Sequence, residues 1–182
     1  MTDQLGAPLG DGDLRLEPLT EHHRALLKAA CAKDLDIWPI YSVSYDPDHF
    51  DAQFDNLLAR PATYPFAVLQ AGRLVGMTAF LRHAPALQTV EIGNSYIVPF
   101  LRGSGFNARV KRLMLDRAFA CGIRRVEFRV DNRNARSKAA VLKLGAKLDG
   151  VIRAERITWT GHVRDTVLFS ILADEWTADS SD

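Results

Sequence analysis

Cysteine, net charge and long apolar runs are all scarce in this chain of 182 residues. The two cysteines, Cys31 and Cys121, cannot form a disulfide framework, and no Cys or His spacing resembles a zinc site. Lys and Arg total 23 and Asp and Glu total 22, so the net charge of +1 attracts no nucleic acid. No apolar run approaches the roughly 20 residues that a membrane span needs. We therefore expect two buried thiols in the cytoplasm, no metal, and no nucleic-acid or membrane partner.

The length and the residue content fit one globular domain. Hydrophobic residues make up 47% and charged residues 25% of the chain, as in ordinary soluble proteins. The first 13 residues are rich in Gly and Asp and lack the apolar segment of a signal peptide, which predicts a disordered leader. We place the domain over residues 14–176 and a flexible tail over residues 177–182.

Apolar periodicity predicts an α+β fold. Alternating or continuous apolar segments predict seven strands, at residues 14–19, 64–69, 74–81, 89–98, 126–130, 146–153 and 163–172. Four helices are expected to begin near Thr20, Asp46, Phe106 and Asn134. This order predicts a central mixed, mainly antiparallel sheet of about seven strands flanked by about four helices.

A glycine-rich loop joins the fourth predicted strand to the longest predicted helix. Free backbone N–H groups and the helix dipole converge at such a junction, which favours an anion, although a tight connection without a ligand has the same pattern. Gly103-x-Gly105-x-x-Ala108 formally matches a dinucleotide fingerprint, with Asp131 near the place of a ribose-binding acid. Three meander strands precede this loop, whereas the dinucleotide fold begins with its fingerprint, so we keep an NAD(P)-binding oxidoreductase only as the weaker alternative.

The same loop also resembles a second kind of anion site. Arg102-Gly103-Ser104-Gly105-Phe106-Asn107 is similar to the acyl-CoA pyrophosphate loop of the GNAT superfamily, the GCN5-related N-acetyltransferases, in which the pattern is Arg/Gln-x-x-Gly-x-Gly/Ala. Asn107 departs from the small residue usual at the last position. The pair Asn107 and Lys111, together with the segment 90–94, resembles a RimJ/RimL-like branch in which that Asn is common.

Further segments in the same order carry the resemblance over most of the chain. Asn134-Ala135-Arg136-Ser137 and the following segment 143–146 resemble the second GNAT signature, and segments 150–153 and 161–166 are typical of the same branch. The resemblance implies a GNAT fold and an N-acetyltransferase that moves an acetyl group from acetyl-CoA to a primary amine, on a protein N-terminus or a small molecule, by direct attack in a ternary complex. It implies no metal and leaves a homodimer open.

The resemblance also assigns a set of residues to the cofactor. Ile97 and Val98 would hold the acetyl carbonyl and the pantetheine arm through backbone N–H groups. Asn134 would contact the cofactor arm, and Ser137 would contact the cofactor or protonate the leaving thiolate. The full set comprises Ile97, Val98, Arg102, Gly103, Ser104, Gly105, Phe106, Asn107, Asn134 and Ser137.

Glu91 is the best candidate for the catalytic base, with Ser137 as the second catalytic candidate. Strand alternation places Glu91 on one face with Gly93, Ser95 and Ile97, and a carboxylate there could accept the amine proton. Trp38 and Tyr41 lie in the first inter-helix loop, where the family builds its acceptor wall, so the resemblance assigns both residues to binding of the acceptor substrate. A catalytically silent acyl-CoA-binding module and an interaction domain that uses the fold alone remain as alternatives.

Overall fold

Eight strands form one sheet in the computed structural model, which describes residues 4–176. The strand order is β1-β2-β3-β4-β5-β6-β8-β7, and within the described residues only the β5–β6 pair is parallel. The strands are β1 (Leu9–Asp11), β2 (Leu14–Pro18), β3 (Tyr64–Gln70), β4 (Arg73–Ala84), β5 (Thr89–Ile97), β6 (Arg125–Asp131), β7 (Lys147–Ile157) and β8 (Val163–Leu172). The helices are α1 (Arg24–Cys31), α2 (Phe50–Ala59), α3 (Phe106–Ala120) and α4 (Ala135–Lys143). The predicted α+β class and the mainly antiparallel sheet are confirmed.

The eighth strand comes from the segment predicted to be a disordered leader. β1 pairs with β2 through Leu9 and Leu16, and both Leu5 and Leu9 are buried in the core. The prediction is therefore wrong for residues 4–13, because burial of Leu5 and Leu9 and pairing with β2 are enough to dock a three-residue strand. The expected tail at 177–182 lies outside the described residues.

Helices cover the sheet unevenly. α1 packs on β4 on one face, and α3 packs on β1 and β5 on the other. On β6, Val126, Phe128 and Val130 are buried, whereas the alternate residues of this strand are charged. The charged face of β6 is therefore available for polar chemistry rather than for core packing. No helix among residues 4–176 combines the length and the apolar character that crossing a bilayer requires.

The two parallel strands separate partway along the sheet. β5 and β6 pair only from Thr89 to Glu91 on one side and from Arg125 to Glu127 on the other. Beyond these positions both strands continue without pairing to each other, which opens a wedge in the middle of the sheet. The glycine-rich loop lies at the open end of β5, so the wedge and the loop together form one continuous candidate site.

Candidate active site

A bulge in β5 shapes one side of the wedge. Met77 of β4 pairs with Tyr96 and Ala79 pairs with Gly93, so β5 carries one extra residue in this interval. Asn94 supplies it with a left-handed φ of 48°, and its side-chain oxygen accepts a hydrogen bond from Tyr45 Oη at 3.1 Å. Such bulges bend a strand and turn its side chains.

This bulge reverses which side chains face each side of the sheet. Glu91 and Gly93 share one face, and on that face Tyr96 donates from its hydroxyl to the Ala30 carbonyl of α1 at 3.2 Å. Ser95 instead contacts Lys111 of α3 on the opposite face. The prediction that Glu91 shares a face with Ser95 and Ile97 is therefore wrong, because it assumed unbroken alternation through Asn94.

The bulge also determines which backbone groups face the wedge. Val98 N–H donates to the Val75 carbonyl at 2.9 Å, so it is engaged within the sheet. Hydrogen bonds alternate along an antiparallel pair, so the N–H of the preceding residue, Ile97, points away from β4 and toward the wedge. Of the two predicted backbone donors, only Ile97 faces a possible ligand, and the prediction for Val98 is wrong in this respect.

The glycine-rich loop exposes backbone N–H groups at the start of α3. Gly103 and Gly105 have φ of 80° and 85°, conformations that favour glycine, and a Cβ atom at either position would meet no atom within 4 Å. Within residues 4–176, the N–H groups of Gly103, Gly105 and Asn107 donate to no protein acceptor, whereas Phe106 N–H donates to Ser104 Oγ at 3.3 Å. Open space above free N–H groups at a helix N-terminus fits an anion such as a pyrophosphate.

The Arg102 side chain is directed away from this space. Its Nε donates to the Ile97 carbonyl at 2.9 Å, and its guanidinium forms an ion pair with Asp34 and lies over the Tyr96 ring. Arg102 therefore anchors the loop to the segment after α1. Arg102 would therefore favour phosphate binding indirectly, by holding the loop in place, and would not contact the phosphate itself.

Three further predicted residues line the loop and the start of α4. The side-chain oxygen of Asn107 is buried and has no hydrogen-bond partner among the described residues. Asn134 caps α4 by accepting the N–H of Ser137 at 3.0 Å. Asn134 and Ser137 lie at the start of α4, which follows the end of β6 at Asp131, so they lie beyond the open end of the wedge, on the side opposite Ile97.

Glu91 lies at the closed end of the wedge, at the last position where β5 and β6 pair. Its side chain is 10% exposed, and its Oε2 atom is 3.0 Å from Arg82 Nε and 3.7 Å from Arg129 Nε. Burial raises the pKa of this carboxyl, and the charges of Arg82 and Arg129 oppose that shift. A raised carboxyl pKa brings a general base closer to neutral pH, where it transfers protons most effectively.

A second carboxylate beside Glu91 has the opposite electrostatic behaviour. Glu155 accepts hydrogen bonds from Arg156 and from Thr166 Oγ1, and the bond from Arg156 lowers its pKa to about 2. Two neighbouring carboxyls with opposed pKa shifts have distinct roles. Glu155 stays ionised and orders the arginines, whereas Glu91 is the carboxyl able to exchange a proton.

The predicted acceptor wall has an inner and an outer layer. Trp38 is fully buried and packs against Tyr41, Tyr45 and Tyr96, so it cannot touch an acceptor and the prediction of direct contact is wrong. Tyr41 is half-buried and donates from its hydroxyl to the Ser95 carbonyl at 2.7 Å. Burial raises the pKa of Tyr41 to about 12, so its hydroxyl remains protonated.

The outer layer of the wall includes the turn between β7 and β8. Trp159 is 40% exposed and donates from Nε1 to the Trp38 carbonyl at 2.9 Å. Arg164 of β8 donates to Ser42 Oγ at 2.5 Å, which ties the same inter-helix loop to the sheet. The wall therefore stands over the face of the sheet that carries Glu91.

Lys111 connects the loop helix to the bulge from the opposite face. Its ammonium group is buried, donates to Thr78 Oγ1 at 3.0 Å and also contacts Ser95 Oγ. No carboxylate forms an ion pair with it within residues 4–176, and desolvation lowers its pKa to about 7. Lys111 thus cross-links α3 to the bulged segment of β5 that precedes Ile97.

Sequence reasoning missed Arg82, Arg129, Glu155 and Trp159. The sequence does contain a pattern that points to Arg129, because the segment that forms β6 alternates apolar Val and Phe with Arg125, Glu127 and Arg129. A strand with one wholly charged face indicates a functional surface. Arg82 and Glu155 gave no such signal, because irregular backbone directs them: Arg82 has φ 52° and Ala154 has φ 48°, where the pairing registers shift.

No group of three or more His, Cys, Asp or Glu side chains in the described part of the chain could hold a metal ion. The sheet also departs from a dinucleotide-binding fold, which is mostly parallel. Asp131, the expected ribose-binding acid, is 2.8 Å from Arg133 in an ion pair. The dinucleotide interpretation therefore has neither its topology nor a free acid.

Comparison with known proteins identifies the fold. A family profile described as an acetyltransferase (GNAT) domain matches residues 13–147. A crystal structure of a probable acetyltransferase of the GNAT family from Chromobacterium violaceum is 30% identical, with a TM-score of 0.87 over 94% of this chain and 88% of that chain. A search of curated proteins found no significant match.

Two other solved structures have the same architecture. A GCN5-related N-acetyltransferase from Brucella melitensis is 26% identical, with a TM-score of 0.86 over 94% of this chain and 80% of that chain. RimJ from Mycobacterium smegmatis, solved with CoA-disulfide, is 21% identical, with a TM-score of 0.78 over 94% of this chain and 90% of that chain. With the family match over most of the sequence, the chain belongs to the GNAT acetyltransferases, a family of enzymes that use acetyl-CoA.

Proposed function

We propose that this enzyme transfers an acetyl group from acetyl-CoA to a primary amine, with Glu91 as the general base. The observation that carries the proposal is the wedge: a glycine-rich anion loop lies at its open end and a buried carboxylate with a raised pKa lies at its closed end. Free N–H groups, unobstructed space over Gly103 and Gly105, and the unpartnered Asn107 oxygen fit a bound pyrophosphate and its arm.

Acetyl-CoA held there would supply an acetyl thioester. Glu91 accepts one proton from the acceptor ammonium, and the nitrogen lone pair then attacks the carbonyl carbon of the thioester. The C–N bond forms, the C–S bond breaks, and the nitrogen releases its surplus proton to solvent. Ile97 N–H faces the position where negative charge develops on the carbonyl oxygen and stabilises it by hydrogen bonding. Ser137, at the first turn of α4, is the hydroxyl proposed to protonate the departing sulfur. No metal is needed for these steps.

Finer properties of the enzyme are also proposals. We assign it to the RimJ/RimL-like branch on its Asn107 and Lys111 pattern, and we place it in the cytoplasm because its two cysteines are free. The acceptor is a protein N-terminus or a small-molecule amine, and a homodimer is the assembly to test first. The silent binding module differs from this proposal in one respect: it predicts acetyl-CoA affinity without turnover.

The cofactor site is tested by calorimetric titration of acetyl-CoA into wild-type protein and into Gly105→Val. A side chain at Gly105 would occupy the space above the free N–H groups, so we expect affinity to fall by more than about tenfold, or about 1.4 kcal/mol. Gly72→Val is the matched control, because Gly72 has φ 79° and equally open surroundings but lies in the β3–β4 turn. Equal affinity in folded Gly105→Val, or binding of NAD instead, would overturn the assignment.

A further inference from the structure

The face of the sheet around Glu91 carries more positive than negative charge. Four guanidinium groups, from Arg82, Arg129, Arg156 and Arg164, surround three carboxylates, from Glu91, Glu127 and Glu155. The groups at the margin do not change this count, because Arg125 and Arg133 add two positive charges, and Asp149 and Asp131, with which they pair, add two negative charges. Arg125 also pairs with Glu127, and Arg164 also pairs with Asp131. The site therefore has an excess of one positive charge, which becomes two when Glu91 is protonated.

Two guanidinium nitrogen atoms in this cluster lack hydrogen-bond partners. Arg129 Nε and Arg164 Nε are buried without a hydrogen bond among the described residues, and each faces a carboxylate oxygen only at ion-pair distance, Glu91 Oε2 at 3.7 Å and Asp131 Oδ2 at 4.0 Å. The Arg164 side chain is only 7% exposed, and Arg129 is 17% exposed. Buried polar atoms in native structures are nearly always satisfied, so the free donor on Arg129, which lies beside Glu91, is one that an acceptor group of a ligand could satisfy.

One of these donors, on Arg129, lies beside the proposed base together with the guanidinium group of Arg82. Arg129 Nε is 3.7 Å from Glu91 Oε2, and Arg82 Nε is 3.0 Å from the same atom. Glu91 is on β5 and Arg129 is on β6, just past the point where the two strands part. An amine held by Glu91 would therefore have its neighbouring atoms within reach of the guanidinium groups.

We propose that the acceptor amine carries an anionic group, such as a carboxylate, within one or two carbon atoms of the nitrogen. This inference rests on the proposed acetyltransferase function and specifies its substrate class. The ammonium group binds Glu91, and the anionic group binds Arg129 and Arg82, in the manner of an α-amino acid. Guanidinium groups pair well with carboxylate and phosphate oxygens.

The same charges disfavour the other amine acceptors. A polyamine would bring two or more positive charges to a site whose carboxylates are already paired with arginines. A protein N-terminus has an amide where an α-amino acid has its carboxylate, so it would leave the buried guanidinium donors unneutralised. An anionic amine is the acceptor whose charge complements the site before and after proton transfer.

The test measures thiol release from acetyl-CoA with matched acceptors. The panel comprises L-α-amino acids, their carboxamides, O-phosphoethanolamine with ethanolamine, spermidine, and a peptide with a free N-terminus and an amidated C-terminus. We expect kcat/KM per free amine to favour the anionic member of a pair by at least about tenfold, as for hydrogen bonds to a charged group. Comparing amino acids with their carboxamides tests recognition of a carboxylate, and comparing O-phosphoethanolamine with ethanolamine tests recognition of a phosphate.

Variants assign the preference to the arginines. Arg129→Gln and Arg82→Gln should each reduce the ratio of kcat/KM between acid and amide by about tenfold, and Arg129→Lys should restore part of it. The ratio compares two acceptors on the same enzyme. Any effect of the substitution on Glu91 or on the fraction of folded protein therefore changes both kcat/KM values alike and leaves their ratio unchanged. Arg153→Gln is the control, since Arg153 is exposed on β7 and outside the cluster.

The test separates a failure of this inference from a failure of the proposed function. Equal use of acids and amides, or a preference for spermidine, would overturn this inference and leave the acetyltransferase function intact. An unchanged acid-to-amide ratio in both arginine variants would do the same. Acetyl-CoA binding without acetylation of any amine would overturn the proposed function, and this inference with it.

Discussion

Replacing the buried Lys111 with Met should change how stability depends on pH. The ammonium group is desolvated, so its pKa is lowered from the ordinary value of 10.5 to about 7 in the folded protein. The unfolded chain keeps the ordinary value, so it binds more protons than the folded protein between these two pH values. Stability therefore rises with pH across this window in the wild type.

The size of the effect follows from the two pKa values. Between about pH 7 and pH 9, the unfolded state releases only a small part of its lysine protons, whereas the folded state passes from half to fully deprotonated. The wild-type free energy of unfolding should gain about 2 kcal/mol relative to Lys111→Met over this interval. At lower pH, where both states of the wild type are protonated, the difference between the two proteins should level off.

Urea denaturation at about pH 6, 7, 8 and 9 measures this difference. Subtracting the two curves removes the groups that titrate equally in both proteins. Lys143→Met is the control, because Lys143 is exposed on α4, and its curve should run parallel to the wild type. If the free energies of unfolding of the wild type and Lys111→Met changed with pH in parallel, the prediction would be refuted. Parallel curves would mean that Lys111 has the same pKa in the folded and unfolded states, so that burial does not disfavour its charge.

Two further substitutions test how the site is held in place. Asn134→Ala removes the cap of α4 and should lower the free energy of unfolding by about 1 kcal/mol in urea; unchanged stability would contradict the capping role. Arg102→Met leaves the Asp34 carboxylate, which is 11% exposed, without its partner and should cost about 3 kcal/mol. The double variant Arg102→Met/Asp34→Leu should recover much of this loss in thermal melting, and failure to recover would deny that the pair is coupled.

The sequence was sufficient to predict the elements that local patterns govern. Strand alternation and helix signals placed seven of the strands and all four α-helices, because these depend on apolar periodicity. The glycine-rich loop was also predictable, since the spacing of Gly103 and Gly105 reflects a backbone conformation that favours glycine. β1 was missed because a three-residue strand gives almost no periodic signal.

Side-chain directions near the bulges were not predictable. Asn94 adopts a left-handed conformation that places Ser95 on the α3 face, and nothing in the local sequence requires an extra residue there. The Glu91 environment depends on Arg82 and Glu155, which lie on strands far apart in the chain. Their convergence results from two register shifts, so it follows from the tertiary fold rather than from any motif.

Turnover of Glu91→Gln against pH tests the central claim most directly. If Glu91 removes the acceptor proton, turnover at neutral pH should fall on the order of 10²- to 10⁴-fold, with acetyl-CoA affinity unchanged. The loss should shrink as pH rises, because more of the free amine then arrives already deprotonated. Glu17→Gln, an exposed strand carboxylate on β2, should retain wild-type turnover. A well-folded Glu91→Gln protein with wild-type turnover at neutral pH would contradict the account.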